Sequence, residues 1–180
     1  MAGNPPAYVL DSFALLAYLE GEAGMPRVRS VFEGAVAQRH RVYLSLINLG
    51  EALYITERER GLVEARRALG AIDQLPLEIV DVSRSTVLAA AHIKARFPIS
   101  YADAFAAVAA QDHGGVVMTG DPEFRPLADA GLVAVEWLPR RRRARGRSSS
   151  ASWRASRAPA EISPGSAMSP RSSVGSGWSC

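Results

Sequence analysis

Ala7-Tyr-Val-Leu10-Asp11-Ser-Phe-Ala-Leu-Leu-Ala-Tyr-Leu19 changes character at a single residue. Before Asp11 stands a short apolar run of strand type, and after it residues 12–19 carry a helical pattern that Gly21 and Gly24 end. The same change recurs along the chain. Arg41-Val-Tyr-Leu44 reads as a strand, and after Ser45 a helix with Leu46, Leu49 and Leu53 at helical spacing runs to about Arg60. One helix is expected after Pro26 and another after Gly61. Leu77-Glu-Ile-Val80 is a third strand, and the helix that follows places Val87, Leu88, Ala91 and Ala95 on one side until Phe97-Pro98 stops it. Ser100 opens an alanine-rich helix to about Asp112, and Gly115-Val-Val-Met118 and Leu132-Val-Ala-Val135 complete the strands. Strands separated by helices imply right-handed crossovers. The predicted class is therefore α/β, a three-layer α/β/α sandwich around a central, mostly parallel sheet.

Composition sets the limits of function. With 180 residues, 48% of them hydrophobic, the chain can bury one substantial core. Its one cysteine, Cys180, leaves no disulfide framework or thiolate metal cluster to consider. That fits a reducing compartment. No apolar run approaches a membrane span, and Met1-Ala-Gly-Asn-Pro-Pro6 lacks the order of a secretory signal, so no membrane role and a cytoplasmic location are expected.

Charge must be read by position. Residues 1–139 hold 12 basic and 17 acidic side chains, net −5, whereas residues 140–180 hold nine Arg and one Glu, net +8. The basic character belongs to the tail that begins Arg140-Arg-Arg-Arg143-Ala-Arg145-Gly-Arg147 and continues rich in Ser, Pro and Gly. Such a composition cannot offset its own ordering entropy, so 140–180 is expected to be a disordered tail, either a dispensable extension or a source of salt-sensitive affinity for RNA. The expected organisation is an N-terminal extension over 1–6, one domain over 7–139, and this tail.

Four carboxylates carry the functional signal. Asp11 directly follows the first strand, Asp121 follows Val116-Val-Met-Thr-Gly120, Glu51 lies two turns into the helix after the second strand, and Asp103 lies in the first turn of the alanine-rich helix. Open parallel sheets gather ligands outside the carboxyl ends of their strands, where all four acids fall. Each also has a structural explanation: Asp11 and Asp121 as helix N-caps, the latter with Pro122 at N1, and Asp103 as part of a capping box opened by Ser100. Glu51 has no cap to make, which makes it the discriminator. It shares a helix side with Asn48, three residues earlier, so a side turned toward the sheet edge would bring both to the aspartates. Ser12 and Thr119 are candidate hydroxyls for positioning water or substrate there.

Taken together, Tyr8-Val-Leu-Asp11-Ser-Phe-Ala-Leu-Leu-Ala-Tyr-Leu19, Asn48-Leu-Gly-Glu51, Ser100-Tyr-Ala-Asp103-Ala-Phe-Ala-Ala107 and Thr119-Gly-Asp121-Pro-Glu-Phe124 resemble the successive motifs of the PIN domain, most closely those of VapC-type toxin ribonucleases. The resemblance spans residues 7–138 and does not extend into the tail. It implies a Mg²⁺-dependent endoribonuclease, with Mn²⁺ as substitute, that acts as the toxin of a type II toxin–antitoxin module, forms a homodimer and is neutralised by a VapB-type antitoxin. It further implies an acidic site of Asp11, Glu51, Asp103 and Asp121, with Asp11 and Asp103 the most dependable metal ligands. The residue chemistry agrees. Mg²⁺ prefers one or two direct carboxylates plus waters and phosphate oxygens, so Asp11 and Asp103 are assigned to direct ligation and Glu51 and Asp121 mainly to water-mediated roles.

Other chemistries find less support. His40, His92 and His113 have no nucleophile-elbow sequence nearby, and there is neither a Walker loop nor a zinc-ligand spacing. Arg58, Arg60, Arg66, Arg67 and Arg96 fit solvated helix faces better than an RNA-backbone track. A phosphatase of haloacid-dehalogenase type also starts with a strand ending in Asp, but its Asp-x-Asp pattern is missing from Asp11-Ser-Phe13. A non-catalytic partner-binding domain that keeps the acids for structure or metal alone is the other alternative.

Overall fold

A computed structural model describes residues 6–140. Five strands, β1 (Ala7–Leu10), β2 (Arg41–Ser45), β3 (Glu78–Val80), β4 (Gly115–Thr119) and β5 (Ala134–Trp137), form one sheet in the order β3-β2-β1-β4-β5. Every adjacent pair is parallel. The seven α-helices of the described residues are α1 (Ser12–Leu19), α2 (Met25–Val36), α3 (Leu46–Arg60), α4 (Leu62–Ile72), α5 (Arg84–Arg96), α6 (Tyr101–His113) and α7 (Arg125–Asp129). The α/β expectation holds, with a sheet that is parallel throughout.

The strand pleat sorts the core into two layers. Ala7, Val9, Tyr43 and Val117 point to one face, where Ala90 and Ile93 of α5, Leu127 of α7 and the small residues of α6 from Ala104 to Ala110 cover them. Leu10, Val42, Leu44 and Met118 point to the other, against Ala14 and Leu15 of α1, Val28, Val31 and Phe32 of α2, Ala52 of α3 and Ile72 of α4. Helices α1–α4 follow β1 and β2 on one face. The long β3-to-β4 connection then crosses to the opposite face, as right-handed crossovers require. The order therefore reverses between β1 and β4, and the carboxyl ends of those two strands open the crevice where such sheets take ligands.

Helix α6 is buried along most of its length, which explains its alanines. It packs close to both sheet and α5, and small side chains permit that approach. Helix α5 turns out differently from its apolar pattern. The side with Val87, Leu88, Ala91 and Ala95 faces outward, Leu88 being 54% exposed, and the buried positions are Ala90 and Ile93. Two short apolar stripes are compatible with this helix, and contact with α6 selects the narrower one. The last strand is displaced by two residues from the expected start at Leu132, because Gly131 in the left-handed region and the turn after α7 occupy that segment. The tail lies outside the described residues apart from Arg140, as does the N-terminal extension apart from Pro6.

The selected α5 face is open to test. Ile93→Ala should destabilise the protein by about 2–4 kcal/mol, as removal of buried aliphatic groups does, whereas Leu88→Ala should change stability by less than about 0.5 kcal/mol in urea titrations.

Candidate active site

Asp11 begins where β1 runs out. Its backbone has extended geometry while its side chain accepts from the Ala14 amide at 2.7 Å, so it caps α1 at the carboxyl end of the central strand. The carboxyl group is almost wholly enclosed, 1% exposed. Burial raises it from the usual carboxylate range to about 8, against the opposing hydrogen bonds from Thr119 and Ala14, and the charges of Asp103 and Asp121 raise it further.

Asp103 arrives from the opposite layer. Ser100 and Asp103 form a reciprocal capping box, Asp103 N–H to Ser100 Oγ at 3.0 Å and Ser100 N–H to Asp103 Oδ2 at 3.3 Å, which turns the carboxylate back over the start of α6. Its carboxyl is raised to about 6, by burial first and then by the charges of Asp121 and Glu51. Asp121 caps the 3-10 turn Pro122–Phe124, accepting from the Glu123 amide at 3.0 Å. The Asp121 amide in turn donates to the Thr119 hydroxyl at 2.8 Å, so Thr119 stands between Asp11 and Asp121.

Glu51 is half-buried, on the side of α3 turned toward the start of α1. Ser12 Oγ donates to Glu51 Oε2 at 2.5 Å, and Asn48 Nδ2 donates to Ser12 Oγ at 3.2 Å. Asn48 therefore orients Glu51 through Ser12 and does not contact it by hydrogen bond. Asn48 is fully buried, and its Oδ1 has no hydrogen-bond partner among the described residues. An acceptor left in that state typically costs about 1–3 kcal/mol, a cost that is tolerated beside this acidic cluster.

The acids lie near enough for the charges of Asp103 and Asp121 to act on Asp11 and those of Asp121 and Glu51 to act on Asp103, and each aspartate also makes the cap expected of it. Capping and convergence are compatible because a cap fixes the carboxylate at a helix start, and the topology places those starts along one crevice. Among the described residues no three His, Cys, Asp or Glu side chains converge tightly enough to ligate one ion by themselves. All four candidate donors are carboxylates, so any ion they could hold would be a hard one that takes oxygen ligands. Sequence reading missed one supporting contact. Gly120 lets the β4 turn lie against α1: a Cβ there would stand 2.3 Å from Phe13 Cε1. The signal was the glycine immediately before Asp121.

The arginines set aside earlier behave as surface groups. Arg58, Arg60 and Arg67 pair with Glu59, Glu20 and Glu64, respectively. No helix among the described residues is long and apolar enough to cross a membrane.

A parallel-sheet crevice lined by acids from a strand end and from helix starts defines a class of protein, and comparison places this chain within it. The PIN domain model matches residues 8–130, most of the described chain, and the chain belongs to the PIN domain family. Its fold is similar to that of the VapBC2 complex of Rickettsia felis bound to a DNA fragment from its promoter, at 16% identity and TM-score 0.58, covering 74% of this chain and 99% of that one. It is similar to DNA-bound VapBC of Salmonella typhimurium at 19% identity and TM-score 0.56, covering 73% and 97%. It is likewise similar to VapC20 of Mycobacterium tuberculosis, described as a sarcin-ricin loop cleaving toxin, at 20% identity and TM-score 0.56, covering 73% and 99%. At these identities the likeness is one of fold. No curated protein matches the sequence significantly.

The elevated Asp11 carboxyl gives a pH prediction. The unfolded acid titrates near 3.8 and the folded one near 8, so across that window the folded state keeps a proton that the unfolded state has lost. Stability of the metal-free protein should therefore fall as pH rises from about 4 to about 8. Asp103 acts in the same direction up to about 6. Asp11→Asn should flatten the dependence and raise the unfolding free energy near pH 8 by a few kcal/mol, at roughly 1.4 kcal/mol per pKa unit. Thermal unfolding with chelator present, read from pH 4 to 8, measures both.

Proposed function

We propose that this protein is a divalent-metal-dependent endoribonuclease and the toxin of a type II toxin–antitoxin module. The observation that carries the reading is the buried Asp11 carboxyl at the end of the central strand, under the charges of Asp103 and Asp121. An acid so enclosed opposes its own ionisation, and a nearby cation reverses that penalty. The donor set is all oxygen, which selects a hard ion, Mg²⁺ with Mn²⁺ as substitute. Asp11 and Asp103 would hold it directly, and Glu51 and Asp121 through waters.

When bound, such an ion supplies positive charge to the phosphodiester and makes water a better nucleophile. The chain's own residues do the positioning. Asn48 and Ser12 hold the Glu51 carboxylate in one orientation, and Thr119 links Asp11 to the turn that carries Asp121. Asp103 closes the crevice from the other layer. The caps keep the three aspartates in place without mobile side-chain searching, since each is tied to a backbone amide.

A VapB-type antitoxin and a second copy of the chain are the proposed protein partners. The reading is supported by two proteins of similar fold, the VapBC complexes of Rickettsia felis and Salmonella typhimurium, and by the apolar residues exposed here, Tyr54, Leu62 and Val63 on α3–α4 and Leu88 on α5. The cytoplasm, where RNA and such a partner are made, is the proposed location.

With Mg²⁺ or Mn²⁺ the full-length protein should cleave single-stranded RNA, and EDTA should abolish cleavage. Asp11→Asn and Asp103→Asn should each slow cleavage by more than about 100-fold, comparable to loss of one charge-stabilising group in other active sites. Ser12→Ala, which releases Glu51, should slow it by about 10-fold. Full cleavage by either Asp variant, or in EDTA, contradicts the assignment. A folded wild type that binds partners but cuts no RNA with either metal supports the non-catalytic alternative.

A further inference from the structure

A cleft of about 360 Å³ lies beside the acidic crevice, lined by Gly120, Pro122, Arg125, Trp137, Leu138 and Arg140. Gly120 and Pro122 flank Asp121 in the chain, so this cleft adjoins the turn that carries Asp121. Trp137 ends β5 in register with Thr119 of β4, and the Leu138 amide donates to the Thr119 carbonyl at 2.7 Å. The Trp137 backbone is therefore held one strand spacing, about 4.8 Å, from that of Thr119, the residue that links Asp11 and Asp121. Anchored in this way, Trp137 is still 46% exposed. The core on either side of the sheet closes without it.

Two guanidinium groups frame the cleft. Arg125 lies over the Trp137 ring at 6.0 Å from its centroid, and Arg140 lies over the Phe13 ring at 6.0 Å. Neither Arg125 nor Arg140 pairs with a carboxylate among the described residues, in contrast to Arg27, Arg58, Arg60 and Arg67. The absence of a side chain at Gly120 shapes this corner, because a Cβ there would overlap the Phe13 ring and stand 3.1 Å from Arg140 Cγ. An exposed, rigidly rooted indole next to two arginines is chemistry suited to an unpaired nucleotide: the ring stacks on a base, and the guanidinium groups meet phosphate oxygens. The arginines also offset the negative field of the neighbouring acids, through which a polyanion must approach.

From this geometry we infer that Trp137, Arg125 and Arg140 form a nucleotide subsite that seats an unpaired base of single-stranded RNA beside the scissile position. This rests on the ribonuclease reading above and names how its substrate is held. Trp137 stacks on a base adjacent to the phosphodiester placed at Asp11 and Asp103, while the arginines grip the flanking phosphates. The three residues bind and position substrate. They take no part in the chemical step.

Binding and cleavage can be separated experimentally. The probe is a fluorescein-labelled single-stranded RNA, its affinity for the full-length protein read by anisotropy in EDTA, where no cleavage occurs, and its KM and kcat read with Mn²⁺. Trp137→Ala should weaken binding and raise KM by about tenfold, within the range for loss of one base–aromatic stack, with kcat nearly unchanged. Trp137→Phe should restore most of the affinity. A set of probes carrying one abasic nucleotide at successive positions should contain one on which wild type and Trp137→Ala bind alike. Arg125→Gln and Arg140→Gln should each reduce the salt dependence of binding by about 0.7 in the log–log slope.

Unchanged RNA affinity in Trp137→Ala overturns the subsite, including the case in which that variant instead loses a protein partner. An equal loss with Trp137→Phe, or a lowered melting temperature that accounts for the loss, overturns it as well. Asp11→Asn distinguishes the two levels of the account: if it abolishes cleavage while Trp137→Ala binds normally, the subsite fails and the nuclease reading stands. If wild type neither binds nor cuts RNA, both fail.

Discussion

The burial of one carboxyl group at the end of the central strand governs the rest of this structure. Asp11 must be where it is for α1 to start, because its side chain satisfies the Ala14 amide at the first turn. Yet β1 is the middle strand of five, with helices packed on both faces, so the same position is enclosed. The chain thus places an ionisable group where ionisation is costly. The Thr119 and Ala14 hydrogen bonds offset that cost in part, while the neighbouring aspartates add to it. The remaining imbalance is what a divalent cation would remove.

The parallel topology explains why the other acids arrive at the same place. Right-handed crossovers bring the strand ends and helix starts of β1/α1, β2/α3 and β4 to one edge, and α6 reaches that edge with its own N-terminus from the opposite face. Capping preferences then put acidic side chains at those helix starts. A stability rule and a topological rule together yield an acidic crevice, and Glu51 with its Ser12–Asn48 support is the addition that neither rule requires.

Much of this was legible in the sequence because its signals are local. The strand-to-helix changes at Asp11 and Ser45, the Ser100 box and the Asp121-Pro122 turn each declare themselves within a few residues, and their elements fall where expected. What escaped depends on packing at a distance. The buried face of α5 is chosen by α6, which no pattern within α5 encodes. The Ser12–Glu51 bond joins residues 39 positions apart. The cleft beside Asp121 gathers Phe13, Gly120, Arg125, Trp137 and Arg140 only once α1, β4 and β5 are assembled. No local pattern singles out Trp137, whose place beside Thr119 follows only from the pairing of β5 with β4.

The proposal that these carboxylates hold a divalent metal ion is tested most directly by diffraction from crystals soaked in Mn²⁺. An anomalous peak is expected in contact with Asp11 and Asp103, with Glu51 and Asp121 reached mainly through waters. A fully occupied peak elsewhere, or an empty crevice at saturating Mn²⁺ and neutral pH, would contradict it.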